Sequence, residues 1–267
     1  MKKIFTLICG LVIAAQCSFV AAQTKTLKVW KNGSVTATHN AADIDSVTFS
    51  IVEQEAGEGE VIINGHKFID LQLPSGLLWA EVNIGAKTCA DDGIYFSWAE
   101  TDPNTKTSYG WANYKYGSPQ TALERYNATD GKTQLETEDD AAYVNWGEEC
   151  RMPTIKEFEE LRNEANCTWE WTSMTNSKGN EINGCKFTSV RNGKSVFFPA
   201  TGDFTGEDLY GYNEYGCYWS STFYTANIKY AWYLYFDNKQ NDEDEKGPNS
   251  SYYYRFDGYP IRAVAQQ

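Results

Sequence analysis

Histidine is almost missing from this chain: 267 residues contain two, His39 and His66. A Ser-His-acid hydrolase needs an imidazole to relay a proton between nucleophile and leaving group. Here His39 falls in a short amino-terminal segment and His66 in the polar run Asn64-Gly65-His66-Lys67, neither beside an evident nucleophile. No two cysteines show CxxC spacing, so a Cys/His zinc site lacks its ligands. Basic residues are scarce as well, 23 against 36 acidic, for a formal charge of −13. Such a surface repels nucleic acid and anionic lipid, and nucleic acid is not an expected partner. Beyond the first 22 residues there is no long apolar run, and no integral membrane segment is expected in the mature chain.

Those first 22 residues have the form of a secretory signal: Lys2 and Lys3, an apolar stretch from Ile4 to Ala15, and small residues at Val20 and Ala22. Cleavage near Ala22 or Gln23 removes two lysines and no acids, which leaves 21 − 36 = −15. An exported protein in the periplasm, at the cell surface or in the medium is the expectation. Export permits disulfides, but the mature chain would keep five cysteines, Cys89, Cys150, Cys167, Cys185 and Cys217. An odd count leaves at least one thiol unpaired, with one or two bridges among the rest.

Residues 23–52 read as a small β-hairpin segment, in which Lys31-Asn32-Gly33 turns the chain between two apolar runs. The acidic, glycine-bearing stretch 53–60 has nothing to bury and reads as a linker. The rest, 61–267, is expected to be one domain. An aromatic content of 15% argues that a core forms. Residues 101–135 carry little periodicity and read as an irregular insertion. Helices are expected near 138–146, with Thr137 and Asp140 as a capping box and Gly147 closing, and at 154–165, with Thr154 and Glu157 as the box. In the second, Ile155, Phe158, Leu161 and Ala165 share a face. From Cys167 onward the pattern is strands and turns, with Arg191-Asn192-Gly193 as a hairpin signal. Strands, two helices, then strands predict an α+β fold with antiparallel pairing.

Two acidic clusters invite a metal reading. Glu138, Asp139 and Asp140 crowd a helix start, where dipole compensation already accounts for them; a calcium site at Asp139 and Asp140 is the functional alternative. Asp242 to Glu245 form a charge run that reads as a solvated loop. No cofactor is otherwise implied. The aromatic carboxyl-terminal third is the better candidate for function. Along KYAWYLYFDN, alternation puts Trp232, Leu234 and Phe236 on one face, expected to be core, and Tyr233, Tyr235 and Asp237 on the other, expected to face solvent. With Asn238, Asn249, Tyr252, Tyr253 and Tyr254 these supply amphipathic rings, amides and an acid suited to a glycan or protein ligand. The same tyrosines could also simply fill a half-exposed sheet.

Four strings, WGEECRMPTIKEFEEL (146–161), FFPATG (197–202), GCYWSST (216–222) and YPIRAV (259–264), come in an order that resembles the Fibrobacter succinogenes major paralogous domain, itself similar to the C-type-lectin-like superfold. Residues 24–52 resemble a short DSITF-type hairpin found behind Bacteroidetes signal peptides, where Asp45-Ser46-Val47 also matches the three-residue pattern of Bacteroidetes protein O-glycosylation. The resemblance implies a C-type-lectin-like domain in which Trp219, Ser220 and Ser221 are scaffold. In the similar retroelement-diversified variable proteins, the segment after YWSST carries the binding residues. The lectin triplets Glu-Pro-Asn and Gln-Pro-Asp are missing, as are the paired cysteines or clustered histidines of formylglycine-generating and sulfoxide-forming enzymes on this superfold. The expectation is a non-enzymatic recognition module; a structural or adhesive cell-surface component is the first alternative and a formylglycine-generating-like enzyme the second.

Overall fold

The computed structural model describes residues 26–31, 34–43, 60–104, 106–119, 122–238 and 247–266. The signal segment, Ser46, almost all of the 53–60 stretch and the acidic run 242–245 lie outside the described residues. Contacts divide the chain into two units between Glu53 and Gln54. In the first unit, β1 (Thr26–Lys31) and β2 (Ser34–Asn40) pair antiparallel, with Lys31 opposite Ser34.

The second unit opens on a hairpin whose turn is written in the sequence. Asn64 and Gly65 have φ of 51° and 82°, the left-handed pair that a two-residue turn requires. They join β3 (Val61–Ile63) to β4 (His66–Asp70), with Ile63 opposite His66. The next strand, β5 (Leu78–Ala80), is wholly buried. Among its described residues, the irregular stretch that follows holds only the short β6 (Gly117–Ser118) and β7 (Ala122–Leu123) and single helical turns. It is not peripheral, because Tyr114, Tyr116, Leu123 and Tyr126 are buried in the core.

Helix α1 (Ala141–Trp146) starts later than the sequence pattern predicts. Thr137 opens a separate 3-10 turn, and Asp140 is the N-cap, accepting from the backbone N–H of Ala142 at 2.9 Å and of Tyr143 at 3.1 Å. Gly147 closes the helix as expected. After β8 (Cys150–Arg151), helix α2 (Ile155–Leu161) carries the expected Thr154–Glu157 capping box. It is shorter than the predicted 154–165. Asn163 accepts from the Ala165 N–H at 2.9 Å and Asn166 donates to the Glu160 carbonyl at 2.9 Å, so side chains take over the last turn and leave Ala165 exposed.

The remaining strands are β9 (Cys167–Thr175), β10 (Glu181–Ser189), β11 (Ser195–Pro199), β12 (Asp203–Thr205), β13 (Asp208–Tyr210), β14 (Tyr215–Phe223), β15 (Tyr230–Asp237), β16 (Asn249–Tyr254) and β17 (Val264–Ala265). They form two three-stranded antiparallel sheets, in the orders β11-β10-β9 and β14-β15-β16, and the β12-β13 hairpin. The last strand, β17, lies between β5 and β8 in a five-stranded sheet, so the two ends of the unit are zipped together. The architecture is α+β, with two short helices among antiparallel strands.

Strands β14 and β15 are packed on both faces, while β16 is more exposed. One side of β14 and β15 gives Trp219 and Tyr233 to a core with Trp98, Tyr126 and Tyr259; the other gives Tyr218, Leu234 and Phe236 to a core with Trp79, Phe158 and Phe198. Trp219 donates its indole N–H to the Phe96 carbonyl at 2.9 Å, and Trp98 donates to the Ser220 carbonyl at 2.8 Å. Two buried arginines tie the segments together. Arg255 donates to the Tyr114 hydroxyl and to the carbonyls of Arg125, Tyr126 and Ile228 at 2.8–3.1 Å. Arg262, from the YPIRAV string, donates to Asn83 Oδ1 and to the carbonyls of Ala80, Glu81 and Phe197 at 2.9–3.1 Å.

All five cysteines from Cys89 to Cys217 are unpaired, so the expected one or two bridges do not form. Four of them are buried, where the thiol packs as a small apolar group. Among the described residues no helix is long and apolar enough to cross a membrane.

A tyrosine-lined concavity on the carboxyl-terminal sheet

Strand register decides which candidate residues meet. Cys217 lies opposite Tyr235, Trp219 opposite Tyr233, and Tyr235 opposite Asn249, while Tyr253 lies opposite Ala231. Alternation therefore places Tyr215, Cys217, Tyr233, Tyr235 and Tyr253 on one face. The β12-β13 hairpin folds over that face. Its placement depends on Gly202, at φ 62°, where a Cβ would meet the Tyr210 carbonyl oxygen at 2.0 Å. Together these residues enclose an open concavity of about 430 Å³, lined by Asp203, Thr205 and Tyr210 from the hairpin, by those five sheet residues, and by Tyr259.

The floor is dry and the rim is wet. Cys217, Tyr233 and Tyr259 are 3%, 8% and 2% exposed, whereas Tyr210 and Tyr253 are 51% and 46% exposed. Tyr233 packs edge-on against Tyr259 at 5.0 Å between ring centres, and Tyr259 stacks on Trp219 at 4.1 Å. The expected solvent-facing role of Tyr233 is thus corrected: the face it shares with Tyr235 is also packed. Its neighbour Trp232, expected in the core, is only partly buried, whereas Phe236 is fully so.

Carboxylates hold the phenols. Tyr215 donates to Asp203 Oδ1 at 2.5 Å and Tyr235 donates to Asp237 Oδ2 at 2.9 Å. Burial first, and then these carboxylate partners, push both phenol pKa values far above the usual tyrosine value. At the hairpin wall of the concavity the Thr205 hydroxyl lies 3.1 Å from Asp203 Oδ2 and, on the buried side, 3.0 Å from Asp257 Oδ1. One hydroxyl proton cannot serve two carboxylates. Asp257 is fully buried, its Oδ2 has no partner, and burial pushes its pKa up to about 8. Asp257 therefore carries the proton at neutral pH and donates to Thr205, which donates to Asp203.

That assignment has a pH signature. The folded-state pKa of Asp257 is raised, so its contribution to stability is fully present below the unfolded carboxyl pKa and is lost as pH rises to about 8. Asp257→Asn keeps a neutral group at every pH. The difference in Tm between the variant and the parent protein is expected to grow from pH 4 to pH 8 in the variant's favour and then level off. A difference independent of pH in thermal scans would show that Asp257 is ionised throughout.

The other candidate residues are dispersed. Asp237 is buried against Tyr235, Asn249 is half-buried at the start of β16, and Asn238 is exposed beyond the end of β15. Tyr252 and Tyr254 lie on the opposite face from Tyr253. There Tyr252 stacks on Tyr224 at 4.0 Å and Tyr254 on Phe256 at 5.1 Å. Asp139 and Asp140, considered for calcium, have their oxygens directed at donors. Asp139 accepts from the hydroxyls of Tyr116 and Tyr126 and pairs with Arg125 at 2.7 Å. Asp140 accepts from three backbone N–H groups, including Met152 at 2.9 Å. His66 stacks on Trp146 at 3.7 Å between ring centres.

The concavity also holds Asp203, Thr205, Tyr210, Tyr215 and Tyr259, which sequence reasoning missed. Tyr215 and Tyr259 sit in or beside the GCYWSST and YPIRAV strings. The hairpin residues offered only the turn at Gly206, with no cue to where the hairpin would lie.

Residues 170–263 match a family model described as a domain of unknown function, DUF8237. No curated protein and no solved structure matches the chain. The matched stretch contains every residue lining the concavity and neither helix, so the similarity coincides with the candidate site.

Proposed function

We propose that this chain is an exported, non-enzymatic recognition module that binds a glycan or protein ligand through the tyrosine concavity, on a scaffold of C-type-lectin-like build. The observation that carries the reading is the convergence of Tyr233, Tyr235 and Tyr253 with Tyr210, Tyr215 and Asp203 around one open depression. Rings with an apolar body and a polar tip suit a wet binding surface. The zipped ends at β17 and the two helices ahead of the long strands support the scaffold.

The test is a glycan array and a pull-down with the purified mature protein and its variants. Tyr235→Ala and Tyr253→Ala are expected to weaken binding by about 1–2 kcal/mol each. Unchanged affinity in both would retire the concavity as the binding surface.

A second reading, an adhesive assembly component, is favoured by the aromatic strip on the opposite face. There Tyr224, Trp232 and Tyr252 pack with ring centres 4.0–5.4 Å apart, and Tyr252 is 42% exposed. Under that reading Tyr252→Ala, and not Tyr253→Ala, abolishes partner capture.

A further inference from the structure

The hydrogen-bonding inventory of the concavity is one-sided. Its lining has no lysine, arginine, histidine, asparagine or glutamine. The phenol protons of three lining tyrosines are turned onto carboxylates: Tyr215 onto Asp203 at 2.5 Å, Tyr235 onto Asp237 at 2.9 Å and Tyr210 onto Asp208 at 3.4 Å. An incoming ligand meets π faces, the oxygen acceptors of Asp203 and the engaged phenols, and few donors, chiefly the exposed Tyr253 hydroxyl at the rim. A neutral sugar, which needs donors as well as acceptors from its site, would be served less well than a cation, and an anion would be repelled.

We propose that the group recognised in this concavity is an alkylammonium cation, held over the tyrosine rings with Asp203 as its counter-ion. This rests on the concavity being the recognition site.

Four features act in the same direction. A phenol that donates to a carboxylate has a more electron-rich ring, and tyrosine faces attract ammonium groups within about 6 Å of the ring centre. The floor formed by Cys217, Tyr233 and Tyr259 is nearly inaccessible to water, which strengthens that attraction. Asp257, kept protonated behind Thr205, leaves Asp203 as the one charged carboxylate among the lining residues, placed to pair with a monocation. The formal charge of −13 draws cations toward the chain as a whole. A depression of about 430 Å³ exceeds one trimethylammonium head, so there is room for the stem that carries it.

The test is a set of NMR titrations of the full mature protein at fixed ionic strength, following the backbone amides of Cys217, Tyr235 and Tyr253. The probes are choline, its neutral carbon isostere 3,3-dimethyl-1-butanol, a short peptide bearing trimethyllysine, and a panel of neutral methyl glycosides. Choline or the peptide is expected to bind saturably and at least about tenfold more tightly than the neutral isostere. The peptide alone binding would identify a protein side chain as the source of the cation; choline binding as well would identify the free head group as sufficient. Asp203→Asn is expected to abolish that preference. Because Asp203 also holds Tyr215, Tyr253→Ala at the exposed rim serves as a second variant, with at least a threefold loss expected and Tm unchanged.

Equal affinity for choline and the isostere overturns the inference, as does binding of glycosides but not of either cation; in the glycoside case the concavity remains the recognition site. If no probe of either class shifts these amides, both the inference and the reading beneath it fail.

Discussion

Arg262→Ala is expected to cost more than about 4 kcal/mol, enough to leave much of the domain unfolded at room temperature. The side chain is fully buried and no carboxylate pairs with it. Instead it donates to one side-chain amide and three backbone carbonyls, from the end of β5, the loop after it and β11. Its guanidinium lies 4.4 Å from the centre of the Phe198 ring. Burial pulls its pKa down to about 10, so it remains charged at neutral pH. Removing it strands several buried acceptors at once, and each has already given up its water. Arg262→Lys recovers only part of the loss, because an ammonium cannot reproduce the planar fork. Urea unfolding followed by tryptophan fluorescence measures this. Arg262→Met within 1 kcal/mol of the parent protein would show that the network contributes little.

The second large effect is expected at Tyr233. Its truncation to alanine should destabilise by about 3–5 kcal/mol, as for other buried aromatic rings. The ring packs edge-on against both Trp219 and Tyr259, with ring centres 5.9 Å and 5.0 Å away. Tyr253→Ala, one strand away on the same face, should fall within about 0.5 kcal/mol of the parent because its ring is 46% exposed. Equilibrium unfolding of the pair separates floor from rim. Equal stability losses in both variants would mean that the hairpin β12-β13 does not cover the sheet as described. The comparison also guards any binding experiment, since loss of affinity in Tyr233→Ala reports the fold as much as the site.

Local signals gave part of this structure. Asn64-Gly65 has a single economical use, a tight hairpin turn, and makes it. Thr154 and Glu157 satisfy each other's neighbouring N–H groups within one turn, so α2 begins where the spacing predicts. Asp140 is different. Its carboxylate caps α1 but also accepts from Met152, which only folding brings near, and that shared role moves the helix start past Thr137. The end of α2 was misplaced for a related reason, because Asn163 and Asn166 use their amides locally instead of extending the helix.

For the candidate site, alternation along β15 correctly sorted Tyr233 and Tyr235 onto one face and Trp232, Leu234 and Phe236 onto the other. It could not say which face was core, because period-two patterning separates faces but carries no information about what covers them. Both are covered: α2 and β10-β11 supply one core, and Trp98, Tyr126 and Tyr259 the other. Nor could the tyrosine run 252–254 show that its members divide between opposite sides.

The sequence by itself determined the α+β class, both helices and the strands that alternate, because caps, turns and periodicity act over a few residues. Only the tertiary structure decided that Asp203, Thr205 and Tyr210 close over Tyr233 and Tyr235 and that a half-buried threonine hydroxyl joins two carboxyls. Those contacts join residues up to 52 positions apart, and strand register and hairpin docking, which no short window encodes, bring them together.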